Sequence, residues 1–392
     1  MSDRVYVDAT YKSLNKLDEE LCGDRVEIHQ GKDYAIVVLS DGLGSGVKAN
    51  ILATLTSKII STMIQNGATL EDTVDTIVHT LPVCKVRGVA YSTFGILRIG
   101  YDRQAYLVEF DCPGCIMVRG NRLIPIEYTT REIAGKVIRE ARFTVEVGDV
   151  LALMSDGVVY AGIGELLNLG WDWDNVAKYM AEHAGSVSTS ARITSMLSRA
   201  CDDLYDHKPG DDTTVATVKI IPQKVVSLFS GPPVDPADDA RLVQDFMAPE
   251  GMKIVCGGSS ANLAARELHR EITTELDYEN PDVPPIAKIK GIDLVTEGVL
   301  TLRKTVEIIR AYLANPTEKI NIDLIDENHG AAMMAKILME DCTHLHLFIG
   351  KAINPAHQNP NLPVDLSIKL HILEELYKLM KQAGKVVTRK FY

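Results

Sequence analysis

No run of apolar residues in this 392-residue chain approaches the roughly 20 that a membrane-spanning helix requires, so no membrane segment is expected. The opening stretch MSDRVYVDATYKSL lacks the basic, apolar and small-residue order of a secretory signal, which places the expected site of action in the cytoplasm. Positive charge is also short: 41 Lys and Arg stand against 53 Asp and Glu, a formal net charge of -12. A nucleic-acid partner is thereby excluded, because gripping a phosphate backbone takes clustered cations. Cysteines are few, seven in all and scattered, and an odd number in a large chain forms no disulfide framework and suits a reducing compartment. What is present is ordinary globular composition, 46% hydrophobic and 24% charged, with ample apolar surface to bury. The length exceeds what one core usually sustains, so two domains are expected.

Up to about Pro222 the sequence favours strands. RVEIHQ, YAIVVLS, STFGILRIG, AYLVEF, CIMVRGNRLIPIEY, FTVEVGDVLALMS and TTVATVKII alternate or carry β-branched residues, and RGNR and VGD mark turns. Helical periodicity is interleaved over 48–66, 71–81 and 173–201. An α+β sandwich is expected over residues 1–222. From 225 to 240 three prolines, a glycine and acidic residues gather in VVSLFSGPPVDPADDA, the composition of a linker, here assigned to 223–240. Over 241–392 the order becomes strand, turn, helix, repeated: MKIVC, GGSS, ANLAARELHREI; then AKIKGIDLV, TEG, VLTLRKTVEIIRAYL; then INIDLID, ENHG, AAMMAKILME; then HLHLFIG and a last helix. Such alternation predicts a smaller, open-sheet α/β domain.

In the first domain carboxylates recur where strands end: Asp24 in CGDRV, Asp41 in SDGLGSG, Asp156 in MSDGV, and Asp211 and Asp212 in GDDTTV. A carboxylate beside a buried strand end is costly unless solvated, hydrogen-bonded or bound to a cation. Several converging on one point attract hard divalent cations, and two such ions can activate a shared water. One Asp-Gly alone is an ordinary turn; the ordered set carries the signal. A nucleotide-binding loop built on Gly42, Gly44 and Gly46 is the competing reading of SDGLGSG. It fails the phosphate-loop pattern, because Lys48 is followed by Ala49 rather than Ser or Thr.

That ordered set resembles the PPM family of metal-dependent serine/threonine protein phosphatases, in its bacterial branch typified by SpoIIE, over about residues 1–220. The resemblance implies a β-sandwich flanked by helices with two Mn2+ or Mg2+ ions at one end, and a phosphorylated protein as substrate. Carried over, Asp41 matches the carboxylate that bridges the metals and Gly42 the carbonyl ligand beside it. Asp156 and Asp211 match the later ligands, and Asp24 the early one. Asp41, Asp156 and Asp211 would carry catalysis, while Asp212 has no assigned role. The chain departs from the family in two places. NKLDEEL is acidic where eukaryotic members hold a phosphate-gripping arginine, with Arg25 available but unmatched, and DCPGCIMV replaces the proline loop of many bacterial relatives. The alternative is a catalytically idle scaffold with the phosphatase fold that binds a phosphoprotein or signalling partner.

In the second domain CGGSSAN and VTEGVL place Gly with Ser or Thr between a strand and a helix. Gly257, Gly258, Ser259, Ser260, Thr296, Glu297 and Gly298 are candidates for an anionic or small-molecule effector, since amides at a helix start can hold an anion. The competing reading is helix capping by Ser259, Ser260 or Thr296. Asp326, Glu327, Asn328 and His329 are expected at the same sheet edge. A regulatory role follows for this domain, and a homodimer is compatible with the sequence. Cys112 with Cys115, and Cys342 with His344 and His346, have the spacing of redox or zinc motifs but lack the surrounding elements or a fourth ligand.

Overall fold

Apolar residues at consecutive positions of Tyr34–Gly42 dictate where that strand lies: Ile36, Val37, Val38 and Leu39 are all buried, so both its faces are covered. The computed structural model describes residues 4–80, 92–164, 166–274, 287–352 and 368–392, and the chain divides into two units, Met1–Pro222 and Gln223–Tyr392.

In the first unit the strands are β1 Val5–Leu14, β2 Asp24–Gln30, β3 Tyr34–Gly42, β4 Ser92–Gly100, β5 Gln104–Phe110, β6 Ile116–Arg119, β7 Arg122–Leu123, β8 Thr129–Ile133, β9 Lys136–Thr144, β10 Val150–Met154 and β11 Thr213–Pro222. They form two antiparallel sheets, ordered β1-β11-β10-β6-β7 and β2-β3-β4-β5-β9-β8. Val7, Leu151 and Val218 of one sheet pack against Val37, Leu97 and Leu107 of the other, which makes the sandwich core. The helices α1 Gly46–Gln65 and α2 Leu70–Thr80 cover the outer face of the second sheet through Ile60, Ile64, Val74 and Ile77. On the first sheet lie the short α3 Asp156–Val159, then α4 Trp173–His183 and α5 Ser190–Leu204, which bury Val176, Met180, Ile193 and Leu197.

Two local expectations change here. The strand β1 was not expected: its polar residues leave it half-buried beyond Val7, which weakens the alternation signal. The helical stretch 173–201 is two helices, broken at Gly185 and restarted where the Thr189 side chain caps the Arg192 amide. The face of α1 turned to the sheet is made of Ala49, Ala53, Thr56, Ser57 and Ile60, whereas Ile51 and Leu55 are about half exposed, 53% and 54%. At Ala49 the helix backbone comes against Gly42 of β3, too close for a side chain on the strand at that point. Leu81, the expected end of α2, lies outside the described residues.

The second unit holds β12 Val225–Ser230, β13 Met252–Cys256, β14 Ile272–Thr274, β15 Ala287–Ile289, β16 Leu294–Thr296, β17 His344–Ile349 and β18 Val386–Phe391 in one sheet, ordered β14-β15-β16-β13-β12-β17-β18. The five strands β16, β13, β12, β17 and β18 are parallel, third-second-first-fourth-fifth along the chain, which is the doubly wound order. Its helices are α6 Asp239–Met247, α7 Gly258–Leu268, α8 Val299–Ala314, α9 Lys319–Asp326, α10 Gly330–Glu340 and α11 Ile368–Gln382.

The expected linker 223–240 is corrected: its first part is β12, the central strand, with Leu228 and Phe229 fully buried. The prolines that gave a linker composition all follow Ser230, in the turn that leads to α6. INIDLID, expected as a strand, is α9. Its alternation imitates period two, yet Ile320 is 70% exposed and Ile325 is the buried residue. Among the described residues no helix is long and apolar enough to cross a membrane.

Candidate metal-binding site in the first unit

The candidate site is assembled by strand ends. β2 and β3 pair so that Asp24 lies directly across from Asp41. At the end of β3, Gly42 faces Ser92 of β4, whose hydroxyl donates to the Asp41 carbonyl at 3.0 Å. A Cβ on Gly42 would stand 2.1 Å from the Ala49 carbonyl oxygen, so only glycine lets α1 lie against the strand. Gly44 and Gly46, with φ of 100° and 68°, turn the chain into that helix in a conformation that other residues resist.

β10 ends just before Asp156, and Gly157 sits where a Cβ would meet the Asp212 carbonyl oxygen at 2.2 Å. The MSDGV turn and the GDDTTV loop are thus pressed together, and the Tyr205 hydroxyl fastens the former by donating to Gly157 O at 2.7 Å. A strained close approach of this kind is where the sequence spends its second essential glycine.

Asp41, Asp156, Asp211 and Asp212 line a cavity of about 410 Å³, and Asp24 lies buried beneath it, 4% exposed. Burial, and then the charges of Asp24, Asp156, Asp211 and Asp212, push the Asp41 carboxyl up to about 9 from its ordinary 3.8. Burial pushes Asp24 up to about 7; the Ser155 and Thr214 hydroxyls temper this, while Asp212 and Asp156 add to it. Those two hydroxyls are largely engaged elsewhere: Ser155 accepts from the Thr214 amide at 2.8 Å and Thr214 donates to Ser13 at 2.7 Å. Both Asp24 oxygens are left buried without a hydrogen bond. Asp156 is raised as well, first by burial and then by Asp211.

Uncompensated, clustered, all-oxygen donors fit a hard divalent cation, and the orphaned Asp24 oxygens are the sharpest sign that a positive charge belongs here. Among the described residues no group of three or more His, Cys, Asp or Glu side chains stands as a ready-made metal cage. The four carboxylates therefore share one end of the sandwich without closing on a point.

Two residues emerge that the sequence did not assign. Asp212 is a structural tie: its carboxylate accepts the Lys16 amide at 3.0 Å and the Gly23 amide at 2.8 Å, joining three loops. Among the described residues that line the cavity Lys16 is the one basic residue, with its Nζ 3.7 Å from Asp211 Oδ1. It lies in NKLDEEL, and its position became meaningful only with β1, which delivers it to the same end. Arg25 instead pairs with Glu27 at 3.2 Å.

In the second unit Cys256 of β13 pairs with Thr296 of β16, so the two glycine turns lie side by side at the carboxyl edge, with the Gly257 amide donating to Thr296 O at 2.9 Å. They stand to one side of the point where strand order reverses, between β12 and β17. Neither α7 nor α8 has a side-chain cap, which removes the capping reading. Ser260 is committed to the fold: it donates to Cys256 O at 3.1 Å and accepts the Gly231 amide at 2.7 Å. Ser259 and Gly258 are exposed, and Gly298 and Glu297 border them. Asp326 ends α9 and His329 opens α10, so these residues follow a helix rather than a strand. There Asp326 pairs with Lys336 at 2.6 Å, and His329 caps α10 and meets Glu327 at 3.0 Å. Cys112 and Cys115 are free thiols. His344 and His346 bond Thr343 and Thr388, at 2.9 and 2.5 Å, as part of a half-polar strand face.

Comparison with known proteins gave no match among curated sequences. Among solved structures, the chain is similar to the PP2C phosphatase domain with a fragment of the regulatory domain of SpoIIE from Bacillus subtilis. That match has 19% identity and a TM-score of 0.48, covering 55% of this chain and 62% of that one, less than two thirds of its length. It is similar also to the RsbU and RsbW domains of a Mycobacterium tuberculosis protein, at 18% identity and TM-score 0.45, covering 62% and 70%. A third is RsbX in complex with magnesium, at 18% and 0.38, covering 55% and 98%. Residues 31–221 match the family model for stage II sporulation protein E (SpoIIE).

Proposed function

We propose that residues 1–222 form a Mn2+- or Mg2+-dependent protein serine/threonine phosphatase and that 241–392 form the body of a regulatory domain, with β12 as its central strand. The observation that carries the reading is the gathering of Asp24, Asp41, Asp156 and Asp211 at one end of the sandwich, with Asp24 unpaired and the Asp41 carboxyl pushed up by burial and its neighbouring carboxylates. Asp41, Asp156 and Asp211, with Asp24 beneath and the Gly42 carbonyl beside them, would hold two divalent cations, which when bound supply an activated water and offset phosphate charge.

The chain's own residues do the rest. Asp212 fixes the loops carrying Asp211 and Lys16, so the carboxylates keep their places when the site is empty. Lys16, released from Asp211, would hold a phosphate oxygen of the substrate, taking the part of the missing arginine. Gly42 and Gly157 admit the backbone packing on which Asp41 and Asp156 depend. The chemistry of the substrate follows from a phosphorylated protein side chain entering an anionic cleft whose charge is offset only when cations are present. The glycine turns at Gly257–Gly258 and Glu297–Gly298, where Gly258, Ser259 and Glu297 are exposed, are the proposed place for an anionic or small-molecule effector.

A second reading, a phosphoprotein-binding scaffold without turnover, is favoured by the lack of a closed metal cage among the described residues. Hydrolysis of para-nitrophenyl phosphate with added Mn2+ separates the two. Turnover is expected in the wild type and at least 100-fold less in Asp41→Ala and Asp156→Ala. Turnover that needs no metal, or that survives both substitutions, rejects the phosphatase reading.

A further inference from the structure

A second cavity of about 370 Å³ opens beside the DCPGC loop, walled by Gly114, Leu123, Ile126, Tyr128, Arg139 and Trp173. Its place in the sheet is the first clue. Ser92 and Asp41 mark the end of the sandwich where the carboxylates gather, and Phe94, two residues into β4, pairs with Phe110, the last residue of β5. The loop after β5 therefore leaves from that same end. Arg139 lies on β9 opposite Glu109 of β5, two strand positions across from β4. Two strand spacings are about 10 Å, which an extended peptide crosses in about three residues.

Its chemistry is the second clue. Glu109 is wholly buried; it accepts the Cys115 amide at 2.6 Å and pairs with Arg139 at 2.8 Å, so the guanidinium is neutralised from behind. Arg139 also donates to Cys112 O at 3.0 Å and lies over the Tyr128 ring, 5.1 Å from its centroid. The Trp173 indole N–H donates to Gly114 O at 2.7 Å. The planar groups among its walls, Tyr128, Arg139 and Trp173, are held by these contacts beside the aliphatic Leu123 and Ile126, which lowers the ordering cost of binding. In contrast to the four-carboxylate cleft, this cavity has no net charge to repel or demand an ion.

We propose that the cavity is a substrate-selecting pocket that takes an aromatic side chain three to five residues from the phosphorylated residue of a protein substrate. The inference rests on the proposed phosphatase function. Stacking against Tyr128, Trp173 and the Arg139 guanidinium favours an aromatic over a charged occupant, and the side chain would anchor the peptide as its phosphate reaches the carboxylate cleft.

The test uses the full chain and phosphoserine peptides of alanine background, with one Trp moved from five residues before to five residues after the phosphoserine. Affinity is read by fluorescence anisotropy and turnover by phosphate release, with para-nitrophenyl phosphate as the pocket-independent substrate. A Trp at a position three to five residues away on one side is expected to tighten binding and raise kcat/KM by roughly 10-fold, the scale set by filling an apolar pocket, chiefly through KM. Leu123→Asp, at a half-exposed position that tolerates folding, and Trp173→Ala are both expected to flatten that preference. Affinity and turnover indifferent to Trp position, or a preference that survives both variants, overturns the pocket. So does a change of oligomeric state in Leu123→Asp with unchanged peptide selectivity, which would assign the cavity to a second copy of the chain. If para-nitrophenyl phosphate is not hydrolysed while anisotropy still shows the Trp preference, the phosphatase reading fails and the pocket stands.

Discussion

The Asp41→Asn substitution puts the electrostatics of the carboxylate cluster to a quantitative test. Asp41 moves from an ordinary 3.8 to about 9 in the folded chain, because burial and four neighbouring carboxylates oppose its ionisation. A carboxyl raised on folding costs nothing below its unfolded value and progressively destabilises the fold as pH rises toward its folded value. The cost grows at about 1.4 kcal/mol per pH unit, reaching about 4 kcal/mol at pH 7 as an upper figure. In metal-free protein with chelator present, Asp41→Asn removes the titrating group and is expected to raise the first unit's Tm by roughly 10 °C at pH 7. Near pH 4 the gain should vanish. Adding Mn2+ closes most of that gap: the wild type gains about 2.7 kcal/mol at a hundredfold excess over its Kd, and the variant, lacking the central carboxylate, gains far less. Thermal unfolding across pH 4 to 9, with and without Mn2+, reads all of this. Parallel curves for the two proteins over that whole range would refute the argument that like charge and burial are concentrated on Asp41.

Two further outcomes follow from single contacts. Gly42→Ala drives a methyl group into the Ala49 backbone, and is expected to cost roughly 1–3 kcal/mol in urea unfolding, the scale of an overpacked core, and to weaken Mn2+ binding because α1 must move away from Asp41. Lys16→Gln removes the basic residue at the cleft; KM for phosphorylated substrates and the Ki of inorganic phosphate should both rise several-fold, as for an exposed ion pair of about 1 kcal/mol, while Mn2+ affinity measured by calorimetry holds or improves because Asp211 loses a competing cation.

The carboxylate set was legible because its members flank strands whose pattern stands out by itself: YAIVVLS before Asp41, DVLALMS before Asp156, TTVATVKII after Asp211. Turn chemistry then names the residue at the strand end. Lys16 was not legible. The strand before it, β1, alternates apolar residues with Asp8, Thr10 and Lys12, and nothing local says that it pairs with β11 along its whole length. The second unit shows the same limit in reverse, since the strand-turn-helix order announced an open sheet while α9 was disguised by a two-residue alternation that packing against neighbouring helices overrode.

The sequence by itself determined the class of each half of the chain and the strand ends on which the carboxylates sit. These are local matters of period and backbone freedom, which short stretches encode. Tertiary structure alone decided which carboxylate is stranded without a partner, which face of α1 lies against β3, and that an acidic cleft and an uncharged aromatic pocket open at one end of the same sandwich. Those depend on register across strands distant in the chain, and register is settled only when both sheets and their helices close on a common core.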